Sequence, residues 1–255
     1  MKRLLNQDEN RRYWESRACE LTGCDVSWWD INMMKIEIDN IITHLDKNDL
    51  VLDIGCSNGF TTVEIHKRVQ CRIHGIDYSK HAINQAKEFE NGYLNFECAD
   101  ITQYNSHIKY DKVYSIRCLI NLMTKKLQKK ALKNIYGLLK HRGIFIMSET
   151  FKGGLRNLNK ARKVFGLKPL SQPVYNNYFR EKEFESYISK YFDIIEVKKY
   201  ASLYYIGTRL FQYLTLDDDP KEHDTDLHRF FAHYGFETKR SGDFSPQKLY
   251  VLRRK

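Results

Sequence analysis

The chain has 255 residues, 42% hydrophobic and 13% aromatic, with a formal net charge of +10. That composition supports one sizeable core and excludes a disordered or fibrous chain, and no apolar run approaches the ~18 residues of a membrane span. The basic balance favours anionic partners without choosing between nucleic acid, membrane and phosphorylated metabolites.

The N-terminal "MKRLLNQDENRRYWE" carries no apolar leader segment. Residues 11–45 read as helical, because in "MMKIEIDNIITHL" Ile38, Ile41, Ile42 and Leu45 fall on one stripe. From there strands and helices alternate. "LVLDIG" (50–55) is a short apolar run suited to a strand buried on both faces. The helix 60–69, the strand 72–77, the helix 79–90 with Ser79 as N-cap, the strand 94–100 and the strand 110–119 follow. "TKKLQKKALKNIYGLLK" (124–140) is amphipathic, with Leu127, Ala131, Ile135 and Leu138 inward and the lysines on the solvent face. A fifth strand covers 143–149.

Beyond residue 150 the rhythm breaks. An insert over 151–180 precedes a helix (180–191) and a sixth strand (192–200), and a second insert over 201–245 precedes a last strand (248–254). This alternation predicts right-handed βαβ units in a Rossmann-like, doubly wound, mostly parallel seven-stranded sheet with helices on both faces. The whole chain 1–255 is expected to be one domain. Residues 1–45 form a helical cap, 46–150 a ligand-binding core, and the two inserts the acceptor side.

Cys19, Cys24, Cys56, Cys71, Cys98 and Cys118 show no C-x-x-C pair and read as reduced thiols, consistent with a cytoplasmic protein. His223, His228 and His233 recur every five residues, a step that spreads them around a helix, so no metal site is assigned.

Ligands of open parallel sheets bind beyond the carboxyl ends of the strands. There the chain reads "VLDIGCSNGF" (51–60): Asp53 is an acceptor at the strand end, Gly55 permits a tight turn, and Gly59 lets the next helix start close to the strand. Asp77, in "GIDYS", ends the second strand 22 residues after Gly55, near the ~20 expected for an acid that accepts from ribose hydroxyls. Asp100, in "ECAD", ends the third. A core does not need three such carboxylates; a ligand with an amino group, a ribose and an adenine does. A dinucleotide fits poorly, since Ser57 replaces the middle glycine of G-x-G-x-x-G and no third glycine follows.

With these residues the chain resembles the class I S-adenosylmethionine-dependent methyltransferases. "VLDIGCSNG", "GIDYS", "CAD", "YDKVYSIRCLINLM" and "IYGLLKHRGIFIMSE" resemble that family's motifs in order. The resemblance implies S-adenosylmethionine as cofactor, with Asp53, Gly55 and Ser57 around its methionine part, Asp77 on the ribose, Asp100 and Ile101 at the adenine, and Arg117 and Cys118 by the sulfonium. It extends the cofactor site to Gly59, Phe60 and Tyr78, and to Tyr13 and Trp14 of the N-terminal segment. The family often has Gly at the position of Ser57, and Pro-Gly-Gly where "HRG" (141–143) stands.

The acceptor is read from the fourth and fifth strand ends and the inserts. Neither an N/D-P-P-Y/F/W motif nor a Pro-Cys nucleophile is present. Arg117 is the candidate for an anionic acceptor group, and Asn121, Glu149 and Tyr178 are further catalytic candidates. Arg156, Asn159, Asn176 and Tyr204 are substrate candidates, because amides suit hydroxyls and arginine suits phosphate or carboxylate. The "R-x-L-I-N-L", "G-L-x-N-L-N-x-x-R" and "N-x-Y" elements resemble methyltransferases of bacterial surface-polysaccharide gene clusters. They imply O-methylation of a small anionic carbohydrate-related acceptor, such as a nucleotide-activated sugar or a sugar phosphate. An RNA methyltransferase and a non-catalytic cofactor-binding protein are the alternatives. A small molecule is the expected partner rather than nucleic acid, and a homo-oligomer is compatible with this reading.

Overall fold

The structure, a computed structural model, describes residues 3–215, 224–237 and 242–255. The acidic segment 216–223, with His223, lies outside the described residues.

The N-terminal region is two helices rather than one stretch. Asn6 caps α1 (Gln7–Glu20) in a reciprocal capping box with Glu9. The chain then leaves the helix at Thr22, takes a 3₁₀ turn over Gly23–Val26, and restarts at Asp30, which caps α2 (Ile31–Ile42) by accepting from Met33 N at 3.0 Å. Periodicity alone missed this break because α1 is polar nearly all round; only Asn10 and Ala18 are buried.

The expected alternation follows: β1 (Leu50–Ile54), α3 (Phe60–Val69), β2 (Arg72–Asp77), α4 (Lys80–Ala86), β3 (Leu94–Cys98), β4 (Tyr110–Ile116), α5 (Lys125–Leu138) and β5 (Leu139–Thr150). Then come α6 (Lys152–Val164), α7 (Glu181–Ile188), β6 (Phe192–Lys198), α8 (Ser202–Ile206), a π-helical turn (Gly207–Phe211), α9 (Gln212–Thr215), α10 (Asp226–Glu237) and β7 (Gln247–Arg254). Ser79 caps α4 as expected, accepting from Ala82 N, but the α-helix tightens into a 3₁₀ turn at Lys87–Phe89.

The seven strands form one sheet in the order β3-β2-β1-β4-β5-β7-β6. Strands β1 to β5 pair in parallel, and β7 enters between β5 and β6, antiparallel to both. Alternate residues face opposite layers. Val113 and Phe145 join Ala131, Leu132 and Ile135 of α5 and Phe184 of α7 on one face. Tyr114 and Ile146 join Met34, Ile38 and Ile41 of α2 and Ile65 of α3 on the other. No described helix is long and apolar enough to cross a membrane.

The second insert is anchored through charge. Asp30, fully buried, accepts from Tyr204 Oη at 2.5 Å and from Arg209 Nη2 at 2.8 Å. Tyr204, a substrate candidate from the sequence, is therefore a buried part of the dock. The Arg209 guanidinium also meets His228 Nε2 at 3.2 Å. Removing one partner of a buried pair leaves an uncompensated charge. We predict that Asp30→Ala lowers the unfolding free energy by about 3–5 kcal/mol in urea titrations. A loss under about 1 kcal/mol, the range of an exposed pair, would contradict a buried anchor.

Candidate active site

The cavity sits where β1, β2 and β4 end. At the tip of β1 the amides of Gly55 and Cys56 donate to Ile76 O at 2.8 and 3.1 Å, which ties the turn to β2. Gly55 has φ +76°, and a Cβ there would lie 2.4 Å from Cys118 Sγ. Glycine is thus required twice over, by conformation and by the close passage of the chain leaving β4. Ser57 also takes a left-handed conformation, φ +51°. Its amide donates to Asp77 Oδ2 at 3.1 Å, so the position where the motif often has glycine is held by a carboxylate. Gly59 (φ +78°) opens α3 behind the cavity, packed toward Phe96 and Ala86.

Three carboxylates line one side. Asp53 is buried and accepts from Thr62 Oγ1 at 2.6 Å and Tyr114 Oη at 2.8 Å; burial pushes it up to about 7, with the Asp77 charge adding to the rise. Asp77 accepts from Ser57 N and from Ser79 N (2.9 Å), and burial raises it to about 6 despite those bonds. Asp100 accepts from Thr102 N at 2.8 Å and from the guanidinium of Arg11, which also lies over the Tyr78 ring at 5.3 Å.

The other side is the turn after β4. Arg117 has φ +51° and its amide donates to Ser148 O at 2.8 Å. Its Nε donates to Glu37 Oε2 at 2.9 Å, and its guanidinium stacks on Trp28, 3.9 Å from the ring centre. Glu37 is completely buried on α2 and raised to about 7 by burial, an effect the Arg117 charge opposes. The side chain of Arg117 is 15% exposed, at the cavity wall. Asn121 follows, donating from Nδ2 to Arg117 O at 3.0 Å.

The roof comes from elements distant in sequence: Arg11, Tyr13, Trp14 and Arg17 of α1, the segment with Tyr175, Asn176 and Tyr178, and Tyr205 of α8. Tyr13 stacks on Tyr175 with centroids 4.7 Å apart. The cavity is about 210 Å³.

Most sequence-stated positions therefore converge: Tyr13, Trp14, Asp53, Gly55, Ser57, Asp77, Tyr78, Asp100, Ile101, Arg117, Cys118, Asn121, Asn176 and Tyr178 all line it. Others do not. Gly59 and Phe60 lie behind the turn, outside the lining. Glu149, read as a possible base, points instead into the turn after β4: it accepts from Cys118 N (3.0 Å), Leu119 N (2.8 Å), Ile120 N (3.2 Å) and Ser115 Oγ (3.0 Å), fully buried. Asn159 exchanges two hydrogen bonds with the Leu170 backbone, and Arg156 is exposed on α6, away from the cavity. Tyr205, in the insert stretch "YASLYYIGTRLFQYL" that suggests acceptor contacts, does line the cavity, whereas Arg11, Trp28 and Glu37 were not legible as site residues in the sequence. The one available signal was Glu37, a carboxylate inside an apolar helical stripe.

Four buried polar atoms of the lining, Arg11 Nε, Trp14 Nε1, Tyr78 Oη and Asn121 Oδ1, have no partner among the described residues. Buried polar groups are normally bonded, so these point to a polar ligand. With acceptor carboxylates, an apolar and aromatic wall and a glycine-permitted approach to backbone, the residues present fit S-adenosylmethionine.

A model of the methyltransferase domain family matches residues 45–194, more than half of the chain. The chain belongs to the class I S-adenosylmethionine-dependent methyltransferases. S-adenosylmethionine is accordingly its cofactor. Among solved structures, this methyltransferase is similar in fold to magnesium protoporphyrin IX methyltransferase from Synechocystis PCC 6803 with bound S-adenosylhomocysteine (TM-score 0.60, 15% identity, 98% of each chain covered). It is also similar to the N-methyltransferase NodS from Bradyrhizobium japonicum WM9 (TM-score 0.56, 14% identity, 96% of this chain and 98% of that chain). Among curated proteins it is similar to carboxy-S-adenosyl-L-methionine synthases. That of Nautilia profundicola is 28% identical over 131 residues, 50% of this chain and 55% of the relative. That of Helicobacter pylori is 28% identical over 127 residues, 48% and 52%. The chain spans about half the length of the curated relatives it matches.

The state of Asp77 gives a prediction. Its ionised form offers acceptors, its protonated form fewer, so ligand affinity falls as pH drops through about 6. Calorimetric titration with S-adenosylhomocysteine should show up to about a tenfold loss per pH unit below that point. Asp77→Asn should bind more weakly at neutral pH and lose the part of the dependence centred near 6, leaving any contribution of Asp53 near 7; an Asn variant that keeps the same profile would move the titration to another group.

Proposed function

We propose that this methyltransferase transfers the methyl group to a hydroxyl of a small acceptor that carries an anionic group, with a carbohydrate-related acceptor the preferred class. When bound, S-adenosylmethionine supplies the electrophilic methyl carbon. In this reading Asp53, Ser57 and the Gly55 turn hold its methionine part, Asp77 accepts from the ribose hydroxyls, and Asp100, Ile101 and Tyr78 flank the adenine.

The observation that carries the acceptor reading is Arg117. Among the described residues only its Nε is hydrogen-bonded, by Glu37, and its guanidinium is braced on Trp28 at the cavity wall. That leaves its terminal nitrogens to take a carboxylate or phosphate, in the two-pronged manner arginine favours. Asn121 Oδ1, buried without a partner, suits a hydroxyl donor nearby. Tyr175, Tyr178 and Tyr205 supply faces against which a ring packs. All lining carboxylates stand on the cofactor side, so the chain's contribution is alignment and exclusion of water rather than a dedicated acidic base. The roof of α1 and the 173–178 segment favours a small acceptor over a folded RNA. Arg156 and Asn159, which suggested a glycan acceptor from the sequence, stand apart from this cavity; the class now rests on Arg117, Asn121, Asn176 and the aromatic walls.

A second reading is the formation of carboxy-S-adenosylmethionine, favoured by the curated relatives. There the Arg117 site would hold a carboxylate donor.

Incubation with methyl-labelled cofactor and a panel of sugar phosphates, nucleotide sugars, carboxylated sugars, small carboxylic acids and total RNA separates these by mass spectrometry. We predict a labelled small product, and a fall of about a hundredfold in kcat/KM for Arg117→Ala with S-adenosylhomocysteine affinity within a few-fold of the parent. Label only in RNA, or a carboxylated cofactor in place of a methylated acceptor, would overturn the first reading.

A further inference from the structure

The lysine run of α5 is left unused by the cavity. Lys125 and Lys129, four residues apart and so on one helix face, line a second hollow of about 90 Å³ on the far side of Tyr178, whose side chain borders both spaces. This hollow is built, not incidental to a loose surface. Gln128, buried, donates from Nε2 to Leu119 O (3.3 Å) and Asn177 O (2.8 Å), fixing the 177–180 segment against α5. Phe179 and Phe184, both buried, form the apolar floor.

Four cations surround it against one carboxylate. Lys125 is taken by Glu183 through two contacts of 2.6 Å, and Lys129 lies over the Tyr187 ring at 5.1 Å. Lys152 and Arg180 remain, and neither side chain has a hydrogen bond or ion pair among the described residues. Their proximity is unfavourable as it stands: burial, then the charges of Arg180 and Lys125, hold the Lys152 ammonium below its usual range. Lys152 is half-buried and Arg180 exposed, and an anion between them offsets that repulsion. The hollow is less than half the volume of the main cavity, which suits one compact anionic group rather than a polymer.

We propose that this hollow binds the phosphate group of a small molecule, with Lys152 and Arg180 as its principal donors and Lys125 and Lys129 at its rim. The site does not depend on the acceptor reading of Arg117. The phosphate belongs either to the acceptor itself, reaching past Tyr178, or to a separate ligand.

The test is calorimetry on the full chain saturated with S-adenosylhomocysteine, titrated with inorganic phosphate and with glucose 1-phosphate at low salt. We expect saturable binding that weakens about tenfold or more in Lys152→Gln/Arg180→Gln. The charge-matched Lys126→Gln/Lys130→Gln, exposed on α5 and outside the hollow, should retain it. Affinity for S-adenosylhomocysteine in both variants reports that the fold is intact. Tighter binding of glucose 1-phosphate supports an acceptor phosphate, and tighter binding of inorganic phosphate supports a separate ligand. No saturable binding, equal loss in the two variants, or far tighter binding of an RNA oligomer through the same residues would overturn the proposal.

Discussion

The site depends on one buried carboxylate that touches no part of the cavity. Glu149, at the end of β5, accepts from three successive backbone amides, Cys118, Leu119 and Ile120. Those bonds force the chain leaving β4 to turn at once. The turn puts Arg117 in a left-handed conformation that an L-residue adopts only under such constraint, and it presses Cys118 against Gly55. The ends of β1 and β4 are thereby locked at contact distance, and the cavity is the space their turns enclose with β2. Burial raises Glu149 to about 7, a cost that the three amide bonds and Ser115 offset only in part. A carboxylate retained there at such cost is explained by the turn it holds.

Around that lock the charges divide. Asp53, Asp77 and Asp100 occupy one side and Arg117 the other, each fixed by neighbours. Asp53 and Asp77 are both pushed upward by burial, and hydrogen bonds from hydroxyl and ammonium donors to their ionised forms oppose that shift. Arg117 is charged, braced on Trp28 and paired with Glu37, which costs it little freedom on meeting an anion.

How much of this was legible in sequence follows from the range of the interactions. The strands, the Gly55 turn and the acids at three strand ends are local patterns, and the seven strands and the cofactor class were readable from them. The entry of β7 between β5 and β6 was not, since no local signal states which edge a final strand joins. Several acceptor-side candidates misled for a physical reason. Asn159, Tyr204 and Glu149 have the functional groups of ligand-binding residues, but irregular backbone and buried charge need those same groups. Asn159 serves Leu170, Tyr204 serves Asp30, and Glu149 serves the β4 turn. Conversely Arg11 and Glu37 come from helices that look like a mere cap, and only the tertiary fold brings them to Asp100 and Arg117.

In this reading cofactor binding needs the bare backbone of Gly55 against the Cys118 turn. Calorimetric titration of the parent chain and Gly55→Ala with S-adenosylhomocysteine, with circular dichroism to verify folding, tests it most directly. The account predicts saturable one-to-one binding by the parent and none measurable by a folded Gly55→Ala. A folded Gly55→Ala that binds as tightly as the parent would contradict it.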